Sequence, residues 1–351
     1  PVCGRVVARL ATTEAGEVLG CAECATERIS GARMLSSEQW EATGAIQRAL
    51  AQFGLTDFVA SKTPQAPGNQ QRAHVWQIIS GPRRLVAKRF HAWLADDAIR
   101  YEHSVLGHLS ARRFPVAAPL PAPGGATWLL SEGARWALYP ALDGAHLDAQ
   151  LWNFNLGQAA EMLARLHLEL KDFVPQGAPH PAWSALTLEQ LDARVARWPA
   201  LPGLTPELLA AVRDRLAAGY FATTAGGLPQ TIVHGEFTTA NVLWENGAIS
   251  GVLDFERAHR GVALWDLATG LWTRFPPVLR AVVALYGRVW PLSLAEREAI
   301  PDAILLGSLM GIEAQLGVYK NPTEAARRVQ DLAFSMRDLE QLRKAAGAIP
   351  R

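Results

Sequence analysis

The run His234-Gly-Glu-Phe-Thr-Thr-Ala-Asn241, followed by Asp254 and Asp266, gathers three acids, an amide and a histidine into a short span of chain. Carboxylates and amide oxygens are hard donors of the kind magnesium prefers. A further carboxylate nearby can orient a hydroxyl and accept its proton. With a lysine that neutralises phosphate, such a set suits phosphoryl transfer. The stretch poses one question: whether Glu236 is a working carboxylate or the trace of lost chemistry.

The spacing suggests how two of these groups meet. Asn246-Gly247, flanked by Val-Leu-Trp and Ile-Ser-Gly-Val-Leu, is a strong hairpin signal. In that register Glu245 faces Ala248 and Asn241 faces Val252, and a four-residue loop gives the same pairing. Asp254 then shares a face with Val252 and lies diagonal to Asn241, about 7–8 Å away at the backbone. The spacing therefore predicts one hard cation shared by Asn241 and Asp254. Gly235 permits a sharp bend and a close approach to a substrate, with Glu236 just beyond it.

A second pair of charges stands out upstream. In the strand-like Leu85-Val-Ala-Lys-Arg-Phe90, Val86, Lys88 and Phe90 share one face. In the following helical pattern, Asp96 to Ala111, Glu102 falls on the stripe of Ile99, Leu106 and Leu109. An unpaired carboxylate there is costly. Pairing of Lys88 with Glu102 accounts for both; two independent surface residues are the alternative.

The elements that must position these groups read as follows. A helix runs from Ser37 to Phe53, then a short strand at Phe58–Ala60 and a Pro/Gly/Gln-rich loop from Pro64 to Gln71. His74–Ile79 and Leu85–Phe90 form a hairpin around Ser80-Gly-Pro82. Beyond a Pro-rich patch, Ala126–Ser131 and Arg135–Tyr139 are two more strands, and Pro140–Gly144 connects to the rest. Helical patterns follow at Asn155–Leu170, Thr187–Trp198, Pro206–Tyr220 and from Trp265 onward. The expected class is α+β: residues 1–36 an extension, 37–139 a small β-rich lobe and 140–351 a larger, mostly helical lobe.

Composition narrows the setting. The 351 residues, 49% hydrophobic and 19% charged, are globular and long enough for two lobes. A net charge of +1 gives no electrostatic case for nucleic acid or an anionic membrane. No apolar run reads as membrane-spanning, and those near Ala281–Tyr286 and Ala303–Gly311 read as core helices. The N-terminus lacks a basic-then-apolar leader, so a cytoplasmic location is expected. Cys21 and Cys24 have the spacing of half a zinc site, with Cys3 as a third ligand and no fourth. An upstream extension is the favoured account, with Met34 as an internal start before Ser36-Ser37-Glu38. Nothing in the sequence bears on oligomeric state.

His234-Gly-Glu-Phe-Thr-Thr-Ala-Asn241, Gly251-Val-Leu-Asp-Phe255 and Trp265-Asp-Leu-Ala268, in that order, resemble the aminoglycoside phosphotransferase and choline kinase family. The resemblance implies a bilobal protein-kinase-like fold that uses ATP and magnesium. It implies transfer of the γ-phosphoryl group to a hydroxyl of a small-molecule acceptor such as an amino sugar, amino alcohol or sugar. By this resemblance Lys88 binds phosphate with Glu102 as its helix partner, and Asn241 and Asp254 hold the metal. Glu236 stands at the position of the base, Asp266 braces the catalytic loop and His234 shapes it. Adenine is expected against the Arg135–Leu142 connector, with Tyr139 among the cofactor-binding residues, and the acceptor among the helices after Trp265. His167 reads as a packed core histidine. For Glu313, ordinary surface exposure is the favoured reading and contact with a cationic substrate the alternative.

The sequence departs from the family at two places. The family has Asp where this chain has Glu236. The charge and acidity are kept, about 4.3 against 3.9, but one added methylene moves the carboxylate by about an ångström, a shift worth roughly a hundredfold in rate. Positioning and charge stabilisation dominate phosphoryl transfer, so an active kinase is the favoured reading. A nucleotide-binding scaffold that has lost transfer is the alternative. The loop Gln65–Arg72 holds a single glycine, Gly68, which argues against a protein kinase. A nucleotide cover and a solvated hairpin tip remain open for it.

Overall fold

The computed structural model describes residues 37–62, 74–181, 187–221, 227–271, 276–317 and 321–347. The three cysteines, Met34 and the Gln65–Arg72 loop lie outside them. The chain divides into two compact units, one comprising residues up to Ile99 with Ala117–Leu142, the other Arg100–Val116 with Asp143 onward.

In the first unit, helix α1 (Ser37–Gln52) accompanies an antiparallel sheet of β1 (Val59–Lys62), β2 (His74–Ser80), β3 (Arg83–Arg89), β4 (Leu129–Ser131) and β5 (Ala134–Pro140). The strand order is β1-β2-β3-β5-β4. The β2–β3 hairpin pairs Ser80 with Arg83, so Gly81-Pro82 is its whole loop. Period-two alternation puts Trp76 and Ile78 of β2 inside and leaves Gln77 and Ile79 outside. Those inner residues join Leu85, Ala87, Trp136 and Leu138 against Ile46 and Leu50 of α1 in one core. The Trp76 and Trp136 rings lie 5.1 Å apart within it.

Helix α2 (Asp96–Ala111) belongs to the second unit from Arg100 on. The unit continues with α3 (Ala149–Leu170), α4 (Leu188–Val195), α5 (Pro206–Leu216), a π turn at Ala217–Phe221 and β6 (Gln230–Val233). Next come β7 (Val242–Glu245), β8 (Ala248–Val252), β9 (His259–Val262) and α6 (Leu264–Gly270). It ends with α7 (Pro276–Val289), α8 (Leu294–Gly317), α9 (Pro322–Arg337) and α10 (Leu339–Gly347). An antiparallel sheet in one unit and a mostly helical second unit are the α+β architecture the sequence predicts.

Caps explain several boundaries. Helix α3 starts at Ala149, not Asn155, because the Asp148 carboxylate accepts from the N–H groups of Gln150 and Leu151 at 2.9 and 2.8 Å. Thr187 and Gln190 form a reciprocal capping box on α4. Ser293 and Glu296 do the same for α8. Helix α5 gives way to a π turn where Gly219 meets Asp302: a Cβ on Gly219 would fall 2.0 Å from the carboxylate.

Two features go beyond what the sequence suggested. The strands β6 and β9, paired from Gln230↔Val262 to Val233↔His259, were not anticipated. Helix α8 extends the Ala303–Gly311 run to 24 residues, long and apolar enough by composition to cross a membrane. Between Ala299 and Leu316 its charges are Asp302 and Glu313. The fold buries 56% of that window, and Asp302 pairs with Arg215 from α5 at 2.6 Å.

Candidate active site

The loop between β6 and β7 is held by Asp266 of α6 and by its own side chains. The N–H groups of His234 and Gly235 donate to the two oxygens of Asp266 at 2.6 and 2.8 Å. Glu236 donates its N–H to His234 Nδ1 at 3.2 Å and accepts at its carbonyl from Asn241 Nδ2 at 2.9 Å. His234 Nε2 donates to the Leu253 carbonyl at 2.8 Å. Both ring nitrogens are thus engaged, with hydrogen on Nε2, and His234 has no nitrogen left to act as a base. Its ring is fully buried beside Phe237 and Phe255.

Gly235 is required by this path. Its φ is +83°, and a Cβ there would lie 2.5 Å from the Arg257 carbonyl oxygen. The same Arg257 reaches back to the carboxylate of Glu236, Nε to Oε2 3.5 Å, with both side chains about a quarter exposed (26% and 23%). The longer acid therefore ends on a guanidinium supplied by the turn after Asp254.

Asp266, at the start of α6, is completely buried. Besides the two loop N–H groups it accepts from His167 Nε2 at 3.0 Å, and His167 Nδ1 accepts from the Tyr286 hydroxyl at 2.7 Å. Burial pushes the Asp266 carboxyl up; the His167 hydrogen bond, the two imidazoles and the His234 N–H outweigh it, and the net shift is downward. Burial first, then the charges of Asp266 and Glu296, push the Tyr286 hydroxyl well above its ordinary range, so it stays a donor. His167 is a core histidine tied to the loop's anchor.

The register around Asn241 and Asp254 differs from the one read in the sequence. Glu245 does face Ala248 around Asn246-Gly247, but the register shifts between Leu243 and Trp244. Asn241 consequently faces Leu253, whose N–H donates to its carbonyl at 2.8 Å, and not Val252. The extra residue is Ser250, a β-bulge. On its other side β7 is paired as well, Trp244 exchanging backbone bonds with Ala145 at 2.8 and 2.9 Å. Ser250 Oγ donates to the Asp143 carbonyl at 2.7 Å, and Gly144, at φ +116°, leaves room for it. Asp254 then turns out of the strand with φ +60° and ψ 71°, exposed, in the left-handed region where Asp is tolerated. The bulge and this turn, not strand alternation, set Asp254 beside the residue facing Asn241.

The donor chemistry fits a hard cation. Asn241 commits its Nδ2 to Glu236, so its Oδ1 is the atom with lone pairs to offer, and Asp254 adds a carboxylate. Magnesium characteristically takes one or two protein oxygens and completes its shell with phosphate and water. Among the described residues no group of three or more His, Cys, Asp or Glu forms a self-contained cage.

The remaining predicted residues are placed as follows. Lys88 lies on β3 at 9% exposure, paired across the sheet with Val75 and Ala137, its Nζ 5.0 Å from the Phe90 ring centre. Tyr139, buried on β5, pairs with Val86. Both belong to the first unit, whereas Glu102, 3% exposed on the apolar stripe of α2, belongs to the second. Glu313 is half-buried and accepts a hydrogen bond from the Trp198 indole N–H, so the surface expectation for it is corrected. Sequence reading missed Arg257 and Tyr286. The signal available for Arg257 was a cation three residues after Asp254 in a chain whose loop acid is one methylene longer than usual.

The sequence model of the phosphotransferase enzyme family matches residues 63–294. The chain belongs to this family. It is similar to the homoserine kinase of Acidiphilium cryptum (strain JF-5), 30% identical over 208 residues, covering 56% of this chain and 62% of that protein. The match thus spans less than two thirds of that relative's length. Among solved structures, a microcompartment-associated aminopropanol kinase superimposes with a TM-score of 0.67 at 18% identity, covering 86% of this chain and 98% of that one. An amicoumacin kinase in complex with AMP-PNP, calcium and its antibiotic superimposes at 0.60, with 15% identity and coverages of 80% and 87%. These likenesses define the fold as that of the small-molecule kinases.

Proposed function

We propose that this protein is an ATP- and magnesium-dependent kinase that moves the γ-phosphoryl group to a hydroxyl of a small, amino-bearing acceptor. The observation that carries the reading is the Glu236–Asn241 loop, closed on itself by the Asn241 amide and braced through His234 and Gly235 by buried Asp266. Such a loop holds a carboxylate and an amide oxygen in fixed relation, as transfer governed by positioning needs. Asn241 Oδ1 and the Asp254 carboxylate are the metal ligands. When bound, magnesium draws charge from the phosphoryl oxygens. Lys88 is the residue assigned to nucleotide phosphate, and Tyr139 is a second cofactor-binding residue. Glu236 accepts a hydrogen bond from the acceptor hydroxyl and takes its proton as the new oxygen–phosphorus bond forms. The bond to the β-phosphate oxygen breaks, and ADP departs with its electron pair. Asp266 and His234 shape the loop and exchange no proton.

Similarity to homoserine and aminopropanol kinases supports a compact acceptor bearing an amine. The test is ADP release with magnesium-ATP and a panel of hydroxy amino acids, amino alcohols, amino sugars and sugars. Turnover on one class, lost in Asp254→Ala, is the expected result. Nucleotide binding without turnover on any acceptor would favour the scaffold reading.

A further inference from the structure

We propose that Arg257 is a positioning residue for the transfer reaction: it fixes the carboxylate of Glu236, and the acid is a glutamate because that length reaches the guanidinium. The change Glu236→Asp, which installs the acid the family resemblance implies, would then weaken this site rather than improve it. The proposal rests on the kinase reading above and deepens its account of the base.

The backbone brings the two residues together before their side chains do. From Asp254 the chain enters one tight helical turn, Phe255–Arg257, closed by the Ala258 N–H on the Phe255 carbonyl at 2.9 Å. The Arg257 carbonyl accepts from Nδ1 of buried His259 at 2.8 Å. The same residue lies against Gly235: a Cβ on Gly235 would fall 2.5 Å from the Arg257 carbonyl oxygen and 2.9 Å from Arg257 Cβ. Arg257 thus starts beside the residue that precedes Glu236, on a backbone tied at both sides. Glu236 is tied likewise, its N–H to His234 Nδ1 and its carbonyl to Asn241 Nδ2. What remains to be set is the direction of its side chain, and Arg257 Nε stands 3.5 Å from Oε2.

Length decides the match. Glu236→Asp retracts the carboxylate by one carbon–carbon bond, about 1.5 Å. From 3.5 Å the gap would open to about 5 Å along the same line, outside the ~4 Å reach of an ion pair. A glutamate also has one more torsion than an aspartate, so without an anchor its carboxylate spreads over more rotamers. Transfer needs reacting groups held within about 3–3.5 Å, and the guanidinium supplies the constraint that the longer chain gives up. Both side chains are partly exposed, and such a pair adds little to stability. Its value therefore lies in where it puts the carboxylate. A relic of lost chemistry has no use for an anchored acid, and a working base does.

The experiment is a double-mutant cycle on the full chain, with kcat and KM measured for the parent, Glu236→Asp, Arg257→Ala and the two changes together, using magnesium-ATP and the preferred acceptor. We expect each single change to lower kcat about tenfold or more, with KM for the acceptor and nucleotide affinity within about threefold. The double variant should fall no more than about threefold below the slower single one, because the second change has no contact left to break. Arg257→Lys keeps a charge and Arg257→Met keeps only a stem. The lysine variant should recover at least about threefold over Arg257→Ala and the methionine variant should not. A Glu236→Asp protein as fast as the parent, losses that multiply in the double variant, or equal rates in Arg257→Lys and Arg257→Met overturn the proposal. If the parent turns over no acceptor, the kinase reading fails. The pairing is then read without activity, from the side-chain N–H resonance of Arg257 in isotope-labelled protein, assigned by its loss in Arg257→Lys. Movement of that resonance in Glu236→Asp supports the length match, and an unmoved resonance overturns it.

Discussion

At the scale of single residues, the added methylene of Glu236 is matched by a cation. Arg257 takes hold of the carboxylate at 3.5 Å, while the backbone of Glu236 is pinned by His234 and Asn241. If that ion pair aims the carboxylate, Arg257→Ala should lower kcat by about tenfold or more. It should shift stability by less than ~1 kcal/mol, because a partly exposed pair contributes little. Parallel kinetics and thermal unfolding of the variant check both halves. Glu236, Asn241, Asp254 and Asp266 could be singled out as candidates from the sequence because their spacing is local and their chemistry is specific. Arg257 was not, because a contact between two turns leaves no periodic trace in the chain.

At the scale of elements, the hairpin and the loop before it do the positioning. Asn246-Gly247 announced the turn, and Glu245↔Ala248 is its closing pair. The bulge at Ser250 was invisible because the sequence marks the turn and not the register beyond it, and the contact of Ser250 Oγ with the Asp143 carbonyl comes from far upstream. Strands β6 and β9 span four residues each and gave no usable alternation before their pairing was seen. Gly235 is the element's most exposed dependency. Gly235→Ala must hold φ near +83° with a Cβ against the Arg257 carbonyl. A loss of about 1–3 kcal/mol is expected, together with a fall in activity beyond that of Arg257→Ala. Denaturant unfolding and kcat measured on one preparation test this; unchanged values would mean the loop is not held as described.

At the scale of the molecule, buried charge makes stability depend on acid. Burial lowers the His259 pKa from its ordinary 6.5 despite the Arg257 carbonyl and Asp266, both of which act to raise it. The Asp266 pKa also lies below its ordinary 3.8. Both folded values lie below the unfolded ones, so the folded chain binds fewer protons between each pair of values. The stabilisation is complete above about 6.5 for His259 and about 3.8 for Asp266, and is lost as pH falls through each folded value. Tm should therefore fall between about pH 7.5 and 5.5 and again below about pH 4. In His259→Asn the first of these losses should shrink; an equal loss in parent and variant would assign it to other groups. The α+β class and most helices were legible from composition and periodicity. The core placement of α8 was read from its Ala303–Gly311 run, but its full 24-residue length was not, because its apolar face runs nearly all round and gives no periodic boundary.

The central claim is that Glu236 is a working carboxylate. A single-turnover measurement of phosphoryl transfer from magnesium-ATP to the preferred acceptor, in the parent and in Glu236→Gln, addresses it most directly. The account predicts measurable transfer by the parent and a loss of at least about a hundredfold in Glu236→Gln, the scale of general-base catalysis, with nucleotide binding retained. Equal rates in the two proteins, or a parent that binds magnesium-ATP and transfers nothing, would contradict it.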